Sequence, residues 1–88
     1  MRYRLALTPR AQRELDALPR HIQKRVARWL DLLAADPRRE GTKKLEGPSE
    51  LRRVHAGQDY VIVYAVSNED VLVLVVRVGH RKEVYRGL

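Results

Sequence analysis

Two apolar segments joined by a short polar turn are the feature that most constrains the fold of this 88-residue chain. Residues 60–66 read Tyr-Val-Ile-Val-Tyr-Ala-Val, and residues 71–78 are almost entirely aliphatic. Ser-Asn-Glu-Asp at residues 67–70 separates them, and strands joined by so short a turn pair antiparallel. The pattern predicts a largely buried hairpin that runs directly into a polar cluster, Gly-His-Arg-Lys-Glu-Val-Tyr, at residues 79–85.

The N-terminal half has the spacing of one short strand and two helices. Residues 2–7 alternate between apolar and polar positions, as in an edge strand. Thr-Pro at residues 8–9 is typical of a helix start, and Pro19 ends that short helix. An amphipathic second helix is predicted from Arg20 to the Asp-Pro pair at residues 36–37. Together the two helices form an antiparallel helical hairpin.

The remaining segments complete an α+β fold. Residues 38–49 are expected to be a polar connection, followed by strands near 51–56, 60–66 and 71–78. The predicted order is β-α-α-β-β-β, with an antiparallel sheet packed on the helical hairpin and a short C-terminal helix or tail. We expect residues 1–88 to be one domain whose second sheet face is concave and solvated.

Charge indicates the class of partner. Basic residues outnumber acidic residues by 18 to 11, the formal net charge is +7, and the pI is about 10.4. The excess lies in the N-terminal half, because residues 1–39 hold ten Lys or Arg against four acidic residues. A basic domain of this size favours nucleic acid or an acidic protein over a neutral metabolite.

Composition also limits cofactors and compartment. The chain has no Cys, so it forms no disulfide and offers no Cys ligand to a metal. It has no phosphate-binding loop, no Rossmann glycine pattern and no zinc motif, and its three His are dispersed. No apolar run approaches the ~20 residues of a membrane-spanning helix, and no signal-peptide pattern follows the first residue. We therefore expect a cytoplasmic protein without a membrane partner, a cofactor or a metal.

The candidate functional residues are basic or aromatic. Arg53 and His55 alternate with apolar neighbours, so both project from one face of their predicted strand. Arg81 and Tyr85 are four residues apart, so a helical turn after Gly79 would place them on the same side. We expect Tyr85 to face the same pocket as Arg53 and His55. Arg offers a fixed fork of donors to phosphate, and His and Tyr can transfer protons. The pattern favours a phosphate-handling site; the alternative is an ordinary polar strand end.

Six short motifs follow one another in a specific order and spacing. They are Thr-Pro-Arg-Ala at residues 8–11, Asp-Pro-Arg at 36–38, Lys-Lys-Leu-Glu-Gly at 43–47, Leu-Arg-Arg-Val-His at 51–55, Asp-Tyr-Val-Ile-Val-Tyr at 59–64 and Val-Gly-His-Arg-Lys-Glu-Val-Tyr at 78–85. In this arrangement the chain resembles the RelE/ParE superfamily, the toxin half of bacterial and archaeal toxin–antitoxin pairs. The resemblance covers nearly the whole chain and implies a cognate antitoxin protein as partner.

RelE-like members of that superfamily are endoribonucleases that cut mRNA in the ribosomal A site. Carried over by position, the resemblance implies catalytic roles for Arg53, His55, Arg81 and Tyr85. We expect contacts with RNA from eight further residues, namely His80, Lys82, Lys43, Lys44, Arg20, Lys24, Arg25 and Arg28. Either His55 or His80 is a candidate acid or base, and Tyr85 is suited to proton transfer or to stacking on a base.

One position departs from the RelE pattern. The family commonly has Arg directly after the strand Tyr, whereas Val61 follows Tyr60 in this chain. His80 and Lys82 are candidate replacements for the missing cation. Two alternatives to the nuclease therefore remain open: a non-catalytic inhibitor similar to ParE-type toxins, which bind DNA gyrase, and a decayed or merely RNA-binding relative.

Overall fold

The computed structural model describes residues 2–47 and 49–88, which form two helices and a five-stranded sheet. In chain order the elements are β1 (Arg4–Leu7), α1 (Pro9–Asp16), α2 (Arg20–Ala35), β2 (Thr42–Lys44), β3 (Leu51–His55), β4 (Tyr60–Ser67) and β5 (Leu72–His80). The predicted α+β class, helical pair and C-terminal hairpin are confirmed. No helix in this part of the chain is long and apolar enough to cross a membrane.

The strands lie in the order β1-β5-β4-β3-β2. All neighbours are antiparallel except β1, which is parallel to β5 with Arg4 opposite Leu72. No short turn joins β1 to β5, so their direction is not fixed by a hairpin. The long hairpin of β4 and β5 lies at the centre, as its apolar sequence predicts.

Strand β2 corrects the prediction of a polar connection over residues 38–49. It pairs with β3, from Thr42 opposite Val54 to Lys44 opposite Arg52. A strand of three polar residues shows no apolar alternation, so the sequence gives no strand signal there. Short, charged strands are common at sheet edges, where they discourage pairing with other chains.

Local hydrogen bonds explain where the helices begin and end. The Thr8 hydroxyl accepts a hydrogen bond from the Ala11 N–H at 3.1 Å and caps α1, as predicted. The Gln23 side-chain amide donates to the carbonyls of Leu15 at 3.1 Å and Asp16 at 3.0 Å. These are carbonyls of the last turn of α1, so the two hydrogen bonds join the end of α1 to the start of α2 and stabilise the corner between the helices.

The main core lies between the helices and one face of the sheet, which we call the helix-covered face. Helix α2 buries Ile22, Val26, Leu30 and Leu33 against a set of fully or nearly fully buried strand residues, Val54, Ile62, Tyr64, Val73, Val75 and Val78. The Tyr64 hydroxyl donates to the Pro37 carbonyl at 2.6 Å, which satisfies the one polar group of that side chain.

The opposite side of the sheet, which we call the second face, is less solvated than the sequence predicts. Val61 and Val63 of β4 form a small apolar cluster there with Val84 from the C-terminal segment, and all three are fully buried. An isolated Val within a polar tail carries no periodic signal, which is why the sequence does not reveal this cover. The second face is therefore a narrow apolar strip with polar margins.

Candidate functional site

Three basic side chains of β2 and β3 form a row on the second face. Arg53 stands opposite Val63 and opposite Lys43, and His55 stands opposite Val61. Directly opposed residues in an antiparallel pair point to the same face. Arg53 is half-buried, whereas Lys43 and His55 are exposed. The structure thus places Arg53 and His55 on one face, as their alternation indicates, beside the apolar strip.

Arg81 lies just beyond β5 and is bound to Asp59. Its backbone N–H donates to the Asp59 carbonyl at 2.7 Å, which extends the β4–β5 pairing by one residue. Because Tyr60 and His80 face the helices, the next pair points to the second face. The Arg81 Nε lies 3.5 Å from an Asp59 carboxylate oxygen, and the two side chains are 54% and 53% exposed. So exposed an ion pair is weak, and a phosphate is able to replace the carboxylate.

Residues 81–87 fold back over the second face in successive turns. The N–H groups of Glu83 and Val84 both donate to the His80 carbonyl at 2.9 Å, which forms the turn expected after β5. The Arg86 N–H then donates to the Glu83 carbonyl at 3.1 Å. Burial of Val84 on the two strand valines holds this segment down and fixes the approximate position of the neighbouring Tyr85.

Tyr85 lines a groove at one end of the second face. The groove has a volume of about 390 Å³ and is lined by Leu45, Glu46, Ser49, Leu51, Tyr85 and Leu88. Tyr85 is 39% exposed. Neither Arg53 nor His55 lines this groove, which corrects the expectation that Tyr85 shares their pocket. The candidate catalytic residues are instead spread along the second face, with the groove and Arg81 as its two ends.

Several groove residues are neither basic nor aromatic, so the basic and aromatic motifs do not identify them. Leu51 is in the same strand phase as Arg53 and His55, so its alternation does place it on their face. Leu45 packs against the second-face cluster rather than the main core. Glu46 lies in a polar loop with no pattern that would have identified it as a groove residue.

His80 lies away from the basic row. It pairs with Tyr60, whose ring packs against the main core, and the two rings meet edge-on with centroids 5.9 Å apart. The His80 Nδ1 accepts a hydrogen bond from the Lys82 backbone N–H at 3.1 Å. Sheet alternation therefore separates His80 from Arg53 and His55, and His55 is the better candidate for proton transfer on the second face.

The predicted RNA-binding residues of α2 differ in their surroundings. Arg20, Lys24 and Arg28 are exposed along the helix. Arg25 lies across the β3–β4 turn, since a Cβ built at Gly57 would come within 2.6 Å of its Nη1. Gly57 also has a φ of +123°, which favours Gly. All four cations are exposed, but Arg25 also packs against the turn.

Lys44 also has a local structural role. Its ammonium donates to the carbonyls of Leu45 at 3.4 Å and Ser49 at 3.1 Å, so it ties together the loop that borders the groove. Lys82, by contrast, is exposed in the C-terminal segment. Of the two adjacent lysines in β2, Lys43 is the one that lies beside Arg53 on the second face.

Val61 forms the apolar centre of the candidate site. It lies between His55 of β3 and Gly79 of β5 and is fully buried beneath the C-terminal segment. An Arg at this position would bring a cation into the middle of the second face. With Val present, the cations at positions 53 and 81 surround an apolar centre instead of extending across it.

Comparisons with known proteins agree with this architecture. The family model described as "ParE toxin of type II toxin-antitoxin system, parDE" matches residues 5–85. The isolated Escherichia coli RelE toxin is 31% identical, with a TM-score of 0.78 over 94% of this chain and 90% of that chain. No curated protein sequence matches the chain significantly.

Two further solved structures contain an antitoxin. The archaeal RelE–RelB complex from Pyrococcus horikoshii has a chain 28% identical, with a TM-score of 0.79 over 94% of this chain and 99% of that chain. The RelBE2 toxin–antitoxin complex from Mycobacterium tuberculosis has a chain 25% identical, with a TM-score of 0.81 over 94% and 95%. With the family match over nearly its whole length, the chain belongs to the RelE/ParE superfamily as a toxin of a type II toxin–antitoxin system.

Proposed function

We propose that this toxin is a metal-independent endoribonuclease that cuts mRNA in the ribosomal A site and so inhibits translation. The observation that carries the proposal is the placement of Arg53, His55 and Arg81 on one face of the sheet. Two permanent cations and one imidazole on a single surface suit the charge and the proton transfers of phosphodiester cleavage. The likeness to RelE toxins at 25–31% identity supports the same reading.

Cleavage without a metal has three requirements. The 2′-hydroxyl must lose a proton, the pentavalent phosphorane must be stabilised, and the 5′-oxygen must gain a proton. Arg81 is suited to the phosphorane, because it is permanently charged and its carboxylate partner Asp59 is weakly held in solvent. Arg53 offers a second guanidinium from β3. His55 is suited to one of the two proton transfers, since an imidazole exchanges protons near neutral pH.

The groove around Tyr85 is suited to holding a base of the bound RNA, at the opposite end of the second face from Arg81. Leu45, Leu51 and Leu88 provide apolar walls, and the aromatic ring offers a stacking surface. Sequence-specific recognition of RNA commonly uses unstacked bases laid on aromatic side chains. We therefore assign Tyr85 to base stacking in preference to proton transfer.

Docking on the ribosome is assigned to exposed cations of α2 and of the sheet edge. Arg20, Lys24 and Arg28 form a basic stripe on α2, and Lys43 extends the basic surface at the sheet edge. Binding of such a stripe to ribosomal RNA releases counterions and depends on salt. The cognate antitoxin would be a RelB-type protein that covers the toxin and competes for its basic surface, by analogy with the complexes of related toxins.

The test is cleavage on ribosomes programmed with a defined mRNA. Purified toxin should create new 5′ ends within the A-site codon, detected by primer extension. The same mRNA without ribosomes should remain intact, and added antitoxin should prevent the cut. An mRNA that stays intact on ribosomes, at toxin concentrations that arrest growth, would refute the proposal.

A second candidate function is inhibition of DNA gyrase, and Val61 is the observation that favours it. A buried aliphatic residue occupies the position where RelE-like sequences commonly carry Arg, which weakens the cationic centre needed for RNA cleavage. A supercoiling assay on the same preparation distinguishes the two functions. Inhibition of gyrase together with intact mRNA would select the ParE-like activity.

A further inference from the structure

Arg77 is a buried basic residue that joins two distant parts of the chain. Its side chain is 8% exposed, and its Nε donates to both carboxylate oxygens of Glu14 in α1, at 3.2 Å and 3.0 Å. Its Nη1 donates to the Arg86 carbonyl at 2.6 Å. A buried guanidinium is costly unless its donors are satisfied. Arg77 has acceptors on two sides, with Glu14 of α1 bound to Nε and the C-terminal segment bound to Nη1.

Glu14 is itself firmly held, so it is a rigid support for Arg77. One of its carboxylate oxygens accepts a hydrogen bond from the Val78 backbone N–H at 3.0 Å. That N–H lies on the edge of β5 beyond Val75, where the pairing with β1 ends. Helix α1 therefore closes this edge of the sheet through one carboxylate. Arg10 is 3.9 Å from the same carboxylate but is 58% exposed, so its contribution is small.

A β-bulge determines where Arg77 points. The register of β4 and β5 changes between Val63, opposite Arg77, and Tyr64, opposite Val75, so Val76 is an extra residue in β5. If the ladder continued regularly from Val75 opposite Tyr64, Arg77 would fall opposite Ile62 and point into the main core. Bulges commonly redirect a side chain near a functional site. Here the bulge turns Arg77 towards the C-terminal segment.

We propose that Arg77 is a positioning residue: together with Glu14 it clamps residues 81–88 onto the second face and so sets the position of Tyr85. Tyr85 lies between the two anchored points of that segment, the buried side chain of Val84 and the carbonyl of Arg86. One anchor restrains the segment, and two fix its direction along the sheet. The catalytic consequence rests on the proposed nuclease function, whereas the clamp itself does not.

Amide hydrogen exchange tests the clamp directly. Arg77→Met keeps an extended side chain and removes every donor. The hydrogen-bonded amides of Val84, Arg86 and Leu88 should then exchange about tenfold faster, beyond any change in the slowest amides of β4. Arg10→Met is the matched control, because it removes the exposed basic neighbour of Glu14, and should leave these amides unchanged. Equal acceleration of the C-terminal segment and of β4 would show a general loss of stability and overturn the clamp.

If Arg77→Met does not fold, Glu14→Gln is the alternative variant for the exchange experiment. It keeps an acceptor for Arg77 and for the Val78 N–H and removes the charge, so about a threefold acceleration confined to the same amides is expected. Unchanged exchange in that variant would also overturn the proposal.

Kinetics on programmed ribosomes give the second readout. Arg77→Met should lower kcat for cleavage about tenfold, while the half-saturating ribosome concentration stays within about twofold, because the basic stripe of α2 is untouched. A raised half-saturating concentration with unchanged kcat would show that Arg77 does not position the reacting groups. If the wild-type toxin cuts no mRNA, the proposed function fails and the exchange result alone decides the clamp.

Discussion

The two faces of the sheet differ in the size of the apolar cluster that each one buries. The helix-covered face carries a broad aliphatic core in which α2 contributes Ile22, Val26, Leu30 and Leu33. The second face has a cluster of three buried valines, bordered by cations and crossed by a segment without regular secondary structure. Close packing on one side permits charged and exposed groups on the other, because the stability of a domain need not be spread evenly over it.

This comparison separates the residues that hold the fold from those to which the proposed function assigns a role. Placing most of the stabilising contacts beneath the helices leaves the second face available for the contacts proposed above. The predictions below test that separation, first through stability and then through activity.

The largest effect is expected from Leu33→Ala. Leu33 is fully buried beneath the helix pair, so the variant should lose about 3–5 kcal/mol of unfolding free energy. That is a large share of the roughly 4–13 kcal/mol expected for a domain of this length. Val84→Ala is the comparison on the second face and should cost about 2 kcal/mol, from two methyl groups and a small cavity. Urea denaturation measures both losses of unfolding free energy. Equal losses would contradict the expectation that the helix-covered face contributes more to stability.

The two histidines provide the next test, because they lie on opposite faces. His55→Ala should lower cleavage on ribosomes by about 10²–10⁴-fold, the usual contribution of a general acid or base. His80→Ala should leave the rate within about threefold, since His80 packs on Tyr60 away from the basic row. Primer extension on one programmed mRNA compares them. A larger loss of cleavage rate in His80→Ala than in His55→Ala would indicate that the reaction takes place on the helix-covered face.

Sequence alone predicted the helix-covered face more fully than the second face, and the reason is periodicity. The continuous apolar run of β4 and the helical spacing of apolar residues in α2 each mark a surface that must be buried. Val84 stands alone within a polar cluster, and the three residues of β2 are polar, so neither shows a period. The pairing of Glu14 with Arg77 joins positions 63 residues apart and is beyond any local pattern.

The candidate site was likewise predictable only in part. Alternation places Arg53 and His55 on one face, and the resemblance to RelE toxins points to Arg81 and Tyr85. The groove at Tyr85 depends on how the C-terminal turns cross the sheet, which a bulge at Val76 and a buried carbonyl contact determine. Those are features of three-dimensional packing, so the sequence placed Tyr85 in the right region but in the wrong pocket.

Within the second face, Arg81 should matter more than Tyr85. Arg81→Ala removes a permanent cation from the position assigned to the phosphorane, so we expect a loss of about 3 kcal/mol in transition-state stabilisation, roughly a hundredfold in rate. Tyr85→Phe keeps the ring in the groove and should cost less than about fivefold. Both variants should stay folded and bind the antitoxin, since both side chains are exposed. Full toxicity of both variants, with inhibition of gyrase, would replace the nuclease by the ParE-like activity.

The smallest effect is expected from the basic stripe of α2, to which the proposed function assigns docking and no chemistry. Arg20→Ala with Arg28→Ala should reduce the slope of log affinity for ribosomes against log salt by about 1.4–1.8, because each lost phosphate contact removes about 0.7–0.9. The cleavage rate at saturating ribosomes should not change. Arg2→Ala with Arg13→Ala is the charge-matched control, since it removes two exposed cations elsewhere. Equal slopes for the two double variants would mean that net charge, and not the α2 surface, attracts the ribosome.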